Sequence, residues 1–147
     1  MKVTRVLIAD DHAILRSGLR LLLEKEPDLK VAGEATNGRE AIECLAHELV
    51  DIVVMDVGMP GLNGMEATDQ IKRKYPSVGV VVLSMHRDET YVLRCLRAGA
   101  RGYVLKESAE SELRSSLTPD RRRTWSRGGL VTLSARPRSS VDRAAVS

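Results

Sequence analysis

The sequence is poor in aromatics. It has no Phe, one Trp and three Tyr, or 3% of 147 residues. A protein that stacks a flavin ring needs more flat side chains than this. Cysteines number two, Cys44 and Cys95. They stand far apart, without the close spacing of a zinc or redox motif, and read as small apolar fillers. No apolar run reaches the ~18–20 residues that a membrane span requires. The stretch after Met1 is apolar only from Val6 to Ala9 before Asp10 and Asp11 interrupt it, too short for a secretory signal. A cytoplasmic protein with no membrane association is the expectation. His12, His47 and His86 show no ligand spacing and read as surface or packing residues. No phosphate-cradling G-x-x-x-x-G-K-[ST] loop occurs.

Charge is present but unevenly placed. The net charge is +3. Residues 114–147 hold eight Arg, no Lys and two Asp, a balance of +6. Residues 1–113 hold 15 bases and 18 acids, a balance of −3. Two segments with different jobs or origins follow from that asymmetry.

Residues 1–113 alternate strand and helix signals. Strand signals fall on 3–9, 30–35, 51–55, 78–83 and 102–105. Helical periodicity covers 13–26, 39–48, 66–75, 88–98 and 108–117. Pro27-Asp28 and Pro76 stop two helices, Gly99 stops a third, and Asn37-Gly38 reads as a turn. Ile52-Val53-Val54-Met55 and Val78–Leu83 are continuously apolar, as befits strands covered on both faces. Five β-α units in succession predict an α/β fold: a doubly wound, five-stranded parallel sheet with helices on both sides.

In such sheets ligands sit beyond the carboxyl ends of the strands. Asp10 and Asp11 follow the first strand, Asp56 the third, Ser84 the fourth and Lys106 the fifth. Crowded carboxylates repel unless protons or a cation compensate. A hard divalent ion such as Mg2+ prefers oxygen ligands. A carboxylate can attack phosphorus, and an ammonium and a hydroxyl can take up charge on the transferring phosphoryl. Each residue also has an ordinary explanation. Asp11 could cap the next helix. Asp56 could belong to a turn, Lys106 to the solvated surface, and Tyr103 to a half-buried strand.

The set resembles the receiver domain of bacterial response regulators. The segments carrying the likeness are Ala9-Asp10-Asp11-His12, Met55-Asp56-Val57-Gly58-Met59-Pro60-Gly61, Leu83-Ser84-Met85-His86 and Gly99–Lys106. The segment Asp10 to Glu24 and the Gly99–Lys106 run look most like the NarL/FixJ-type subgroup, whose output is of the LuxR type. The resemblance implies a flavodoxin-like (βα)5 fold with strand order 2-1-3-4-5. It implies that Asp56 accepts a phosphoryl group from a sensor histidine kinase, in a family that regulates transcription. Asp11, Asp56 and the Gly58 carbonyl would hold Mg2+ directly and Asp10 through water. Lys106 would contact the phosphoryl group. Ser84 and Tyr103 would form the switch pair. The face of the fourth helix, fifth strand and fifth helix would serve a homodimer or an output partner. Two departures stand out: Glu107 where many receivers have Pro, and Ser84 where many have Thr. The alternative is an aspartyl-phosphate phosphatase of haloacid-dehalogenase type. That chemistry needs an acid two residues after the nucleophile, where this chain has Gly58. The protein is therefore expected not to be a turnover enzyme.

The receiver is expected over 1–118. Residues 119–147 read as a basic, disordered tail in which only Leu130 to Leu133 could make a brief strand. A helix-turn-helix output domain needs several amphipathic helices. The tail has none, so that domain is expected to be absent and specific DNA binding is not expected.

Overall fold

The computed structural model describes residues 3–58, 64–85, 89–108, 117 and 131–132. Its strands are β1 (Thr4–Ala9), β2 (Leu29–Ala35), β3 (Ile52–Asp56), β4 (Gly79–Ser84), β5 (Gly102–Leu105) and β6 (Val131–Thr132). Its helices are α1 (Ala13–Glu24), α2 (Gly38–His47), α3 (Gly64–Lys74) and α4 (Glu89–Arg97). A single 3-10 turn, Lys106–Ser108, follows β5. The helix expected over 108–117 lies outside the described residues except at its ends, where Leu117 is buried.

The sheet order is β2-β1-β3-β4-β5-β6. The first five strands are parallel, as expected. One strand is added. Val131–Thr132 pairs antiparallel with β5, Tyr103 opposite Val131 and Gly102 opposite Thr132. This pair falls within the one tail segment with strand character. The remaining tail residues lie outside the described ones.

Alternation along the strands builds two cores. Leu7, Val53, Met55, Val80, Val82, Tyr103 and Leu105 point to one face, under Ala41, Ala67, Ile71, Val92 and Cys95 of α2, α3 and α4. Val6, Ile8, Val54, Val81, Leu83 and Val104 point to the other, against Leu19 and Leu23 of α1. β3 and β4 are buried at every position, which explains why their sequences show no polar alternation.

Local chemistry sets the helix ends. Asn37 and Gly38 are not a free turn but the start of α2. The Asn37 side chain accepts the Glu40 N–H at 2.9 Å, and the Glu40 carboxylate accepts the Thr36 N–H and hydroxyl. This reciprocal arrangement satisfies donors the helix leaves open. Gly99 ends the chain's fourth helical segment with φ +112°, a conformation that favours glycine. A Cβ there would also meet Lys72 Cγ at 2.5 Å. Cys44 and Cys95 are free thiols. Burial pushes the Cys95 thiol up to about 12, so it stays protonated and packs as an apolar group.

Candidate functional site

The site forms where the carboxyl ends of the strands meet. Parity along the strands decides which side each residue takes. Asp56 follows Ile52 and Val54, and so lies on the α1 side of the sheet. Asp10 continues the Val6–Ile8 row and Lys106 the Val104 row, toward the same side. Ser84 continues the Val80–Val82 row, which faces the opposite core with Tyr103. Pairing of Val82 with Tyr103 and Ser84 with Leu105 puts Ser84 and Tyr103 one rung apart on neighbouring strands. Tyr103 is wholly buried in the core that contains Val92 and Cys95 of α4.

Asp56 and Ser84 are the last residues of β3 and β4 rather than the first residues after them. Each is thus held by the sheet. Asp56 is buried, and its Oδ1 accepts the Gly58 N–H at 3.0 Å and lies 3.2 Å from Lys106 Nζ. The turn reading of Asp56 is therefore also true: the carboxylate closes the loop that follows it. Asp10 is fully buried. Its Oδ1 accepts the His12 N–H at 2.7 Å. Helix α1 starts from His12 without a side-chain cap, so Asp11 does not cap it. The Asp11 carboxylate instead sits 3.2 Å from the His12 Nδ1.

The electrostatics are unfavourable as they stand. Burial pushes the Asp10 carboxyl above its ordinary value of 3.8; the His12 hydrogen bond opposes this, and the charge of Asp56 adds to it. The second oxygens of Asp10 and Asp56 are buried with no hydrogen-bond partner. A buried acceptor without a donor costs free energy, on the order of 1–3 kcal/mol. One ligand atom each from Asp10, Asp11, His12 and Asp56 lies within 4.8 Å of the others. The carboxylate oxygens of this set fit a divalent cation, which would satisfy the orphaned oxygens and offset the repulsion.

Three contributors escape a reading by spacing alone. Arg16 lies one turn into α1 and donates to the Asp10 carbonyl at 2.7 Å and to Glu34 at 3.1 Å, while Arg20 also pairs with Glu34. This ties the loop bearing Asp10 and Asp11 to β2. The guanidinium pair holds the Glu34 carboxyl below its ordinary value, despite the opposing effect of burial. Its signal was available: Arg16 stands at i+3 from Ala13, on the face of α1 nearest the strand end. Gly64 is the second. A Cβ at Gly64 would lie 2.4 Å from the Asp56 carbonyl and 2.5 Å from Val57 Cα. The helix begins two residues earlier than its apolar period suggests, because only glycine lets it come so close. The third is His12, expected to be a surface or packing residue but placed among the carboxylates. His47 is exposed, and His86 lies outside the described residues.

Comparisons with known proteins agree with this geometry. The response regulator receiver domain family matches residues 6–118. The transcriptional regulatory protein DegU of Brevibacillus brevis is 42% identical over 103 residues, covering 70% of this chain and 44% of DegU. The nitrate/nitrite response regulator NarL of Escherichia coli K12 is 38% identical over 112 residues, covering 76% of this chain and 52% of NarL. The chain thus spans about half the length of these curated relatives. A crystal structure of a LuxR-family two-component response regulator from Aurantimonas superposes with a TM-score of 0.75 at 36% identity, over 78% of this chain and 82% of that one. No helix among the described residues is long and apolar enough to cross a membrane. Because the family match runs from within β1 past Leu117, the chain belongs to the response regulator receiver domain family, among its NarL- and LuxR-type members.

Proposed function

We propose that Asp56 is the phosphoacceptor of a two-component relay and that a sensor histidine kinase is its donor. The observation that carries this reading is the environment of Asp56. It is a buried carboxylate with one oxygen held by Lys106 and the Gly58 N–H, and the other left without a partner. In the transfer, a carboxylate oxygen of Asp56 forms a bond to phosphorus as the phosphorus–nitrogen bond of the donor histidine breaks, and the released ring nitrogen takes a proton. The Lys106 ammonium and the Ser84 hydroxyl offset charge on the phosphoryl oxygens. Asp10, Asp11, Asp56 and the Gly58 carbonyl would hold Mg2+, with Asp10 acting through water. The metal, when bound, supplies positive charge against the developing oxyanions. Gly58 has no carboxyl group with which to act as a general acid, so the aspartyl-phosphate phosphatase reading is not supported. The module modifies itself and does not turn over a substrate.

Ser84 and Tyr103 are the switch pair in this reading. Phosphorylation shifts the equilibrium of the surface around α4 and β5, which serves a homodimer or an output partner. The receiver unit covers 1–118, the basic segment 119–147 lies beyond it, and the setting is the cytoplasm. Sequence-specific DNA binding by the 147 residues is not part of the reading.

Intact mass after exposure to a small phosphodonor and Mg2+ tests the proposal. A gain of about 80 Da is expected, the mass of one phosphoryl group. The gain disappears in Asp56→Asn and in excess chelator. Wild-type protein that stays unmodified under these conditions refutes it.

A further inference from the structure

The donor set at the strand ends contains one nitrogen. His12 Nδ1 lies 3.2 Å from Asp10 Oδ1 and 3.2 Å from Asp11 Oδ1. Two neighbouring ligands of an octahedral ion, each at about 2.1 Å, stand about 3 Å apart. The imidazole nitrogen and the Asp11 carboxylate oxygen therefore have the spacing of two neighbouring ligands of one ion, with Asp10 beside them. The ring is 65% exposed, so it is not held there by packing. Its Asp11 partner is also partly exposed, and such a pair contributes little to stability. The buried, unpartnered oxygens of Asp10 and Asp56 point independently to a cation at this place.

We infer that His12 is an additional metal ligand, and that it biases the site from Mg2+ toward a first-row transition metal such as Co2+ or Fe2+. Mg2+ gains little from an imidazole, whereas the later divalent ions gain steadily from nitrogen donors. Nδ1 gives its lone pair to the ion, and the ring keeps its proton on Nε2. In the metal-free protein Nδ1 lies 3.2 Å from a carboxylate oxygen of each of Asp10 and Asp11. The His12 backbone N–H stays on Asp10 in both states, so the loop is held whichever ion enters. The inference rests on the divalent-cation reading of the site and adds its selectivity.

The experiment uses the full chain, with Co2+ and Mg2+ as probes. Proton NMR of the Co2+ form is expected to show a strongly shifted, exchangeable signal from the His12 Nε2–H. His12→Gln keeps the backbone N–H and should abolish that signal. By calorimetry, Co2+ binding should weaken about tenfold in His12→Gln, the loss typical of removing one supporting group at a metal site, while Mg2+ binding changes little. Co2+ binding that depends on Asp11 and Asp56 but shows no such signal, or equal Co2+ affinity in His12→Gln, overturns the inference and leaves the oxygen site standing. Failure of both ions to bind overturns the site itself.

Discussion

Strand β3 has an aspartate at each end, and the two are opposites. Asp51 stands just before the strand, exposed to water. Its carboxylate accepts the Arg5 N–H at 2.8 Å, and its own N–H and carbonyl pair with Arg5 and Gly79 of the flanking strands. Asp56 closes the strand in a buried position, with one oxygen unpartnered and a lysine ammonium 3.2 Å from the other. The same residue type, five positions apart, fastens the sheet at one end and is kept chemically unsatisfied at the other. In a parallel sheet all the carboxyl ends face the same way, so the unsatisfied groups collect at that end.

Removing the charge that distinguishes Asp56 should break the contrast most severely. Lys106→Ala is expected to slow modification of Asp56 by about 100-fold, the scale of losing one preorganised charge-stabilising donor. A mass time course with a small phosphodonor measures this, and a rate within threefold of wild type would show Lys106 to be incidental. Crowding the backbone at the carboxyl end of β3 comes next. Gly64→Ala places a Cβ against the Asp56 carbonyl and should cost about 1–3 kcal/mol of stability. Urea unfolding should show a lowered midpoint. Gly18→Ala, in a helical position with nothing within 4 Å of the new atom, should raise it.

Smaller effects sharpen the comparison. Asp51→Ala leaves the Arg5 N–H to solvent and should cost about 1 kcal/mol, with no change in the rate of Asp56 modification. A slowed rate would mean the two ends are coupled. The last prediction concerns Asp10, whose carboxyl is raised by burial. The folded protein binds its proton more tightly than the unfolded chain does. Ionised Asp10 therefore subtracts from stability, beginning as pH rises past 3.8 and in full once pH exceeds the raised folded value. Metal-free Asp10→Asn should melt higher than wild type at neutral pH. The gap should close as pH falls to the unfolded value. Calorimetry across that range checks the sign.

The sheet was readable because buried parallel strands leave continuous apolar runs, as in 52–55 and 78–83, and because Pro and Gly mark where helices stop. The residues that converge were readable because each follows such a run. What could not be read was contact across the chain. Gly64 looks like an ordinary loop glycine until the Asp56 backbone is seen against it. His12 lacks any spacing to another histidine, yet the turn after β1 folds it over its own neighbours. Asn37 and Gly38 read as a turn, and the Asn37 side chain on the Glu40 N–H with the Glu40 carboxylate reaching back to Thr36 makes them a helix start. Strand boundaries shifted by one residue for a related reason. Polar Asp56 and Ser84 break the apolar pattern while their backbones continue the ladder.

The short strand β6 has a consequence for recognition. Without it, β5 would present a row of bare amides and carbonyls, a template on which an extended peptide could add itself. Val131–Thr132 occupies two rungs of that template from within the same chain. Any outside strand seeking β5 must compete with a tethered rival, whose local concentration is on the order of millimolar. Two rungs make a short pairing, which a longer strand would displace.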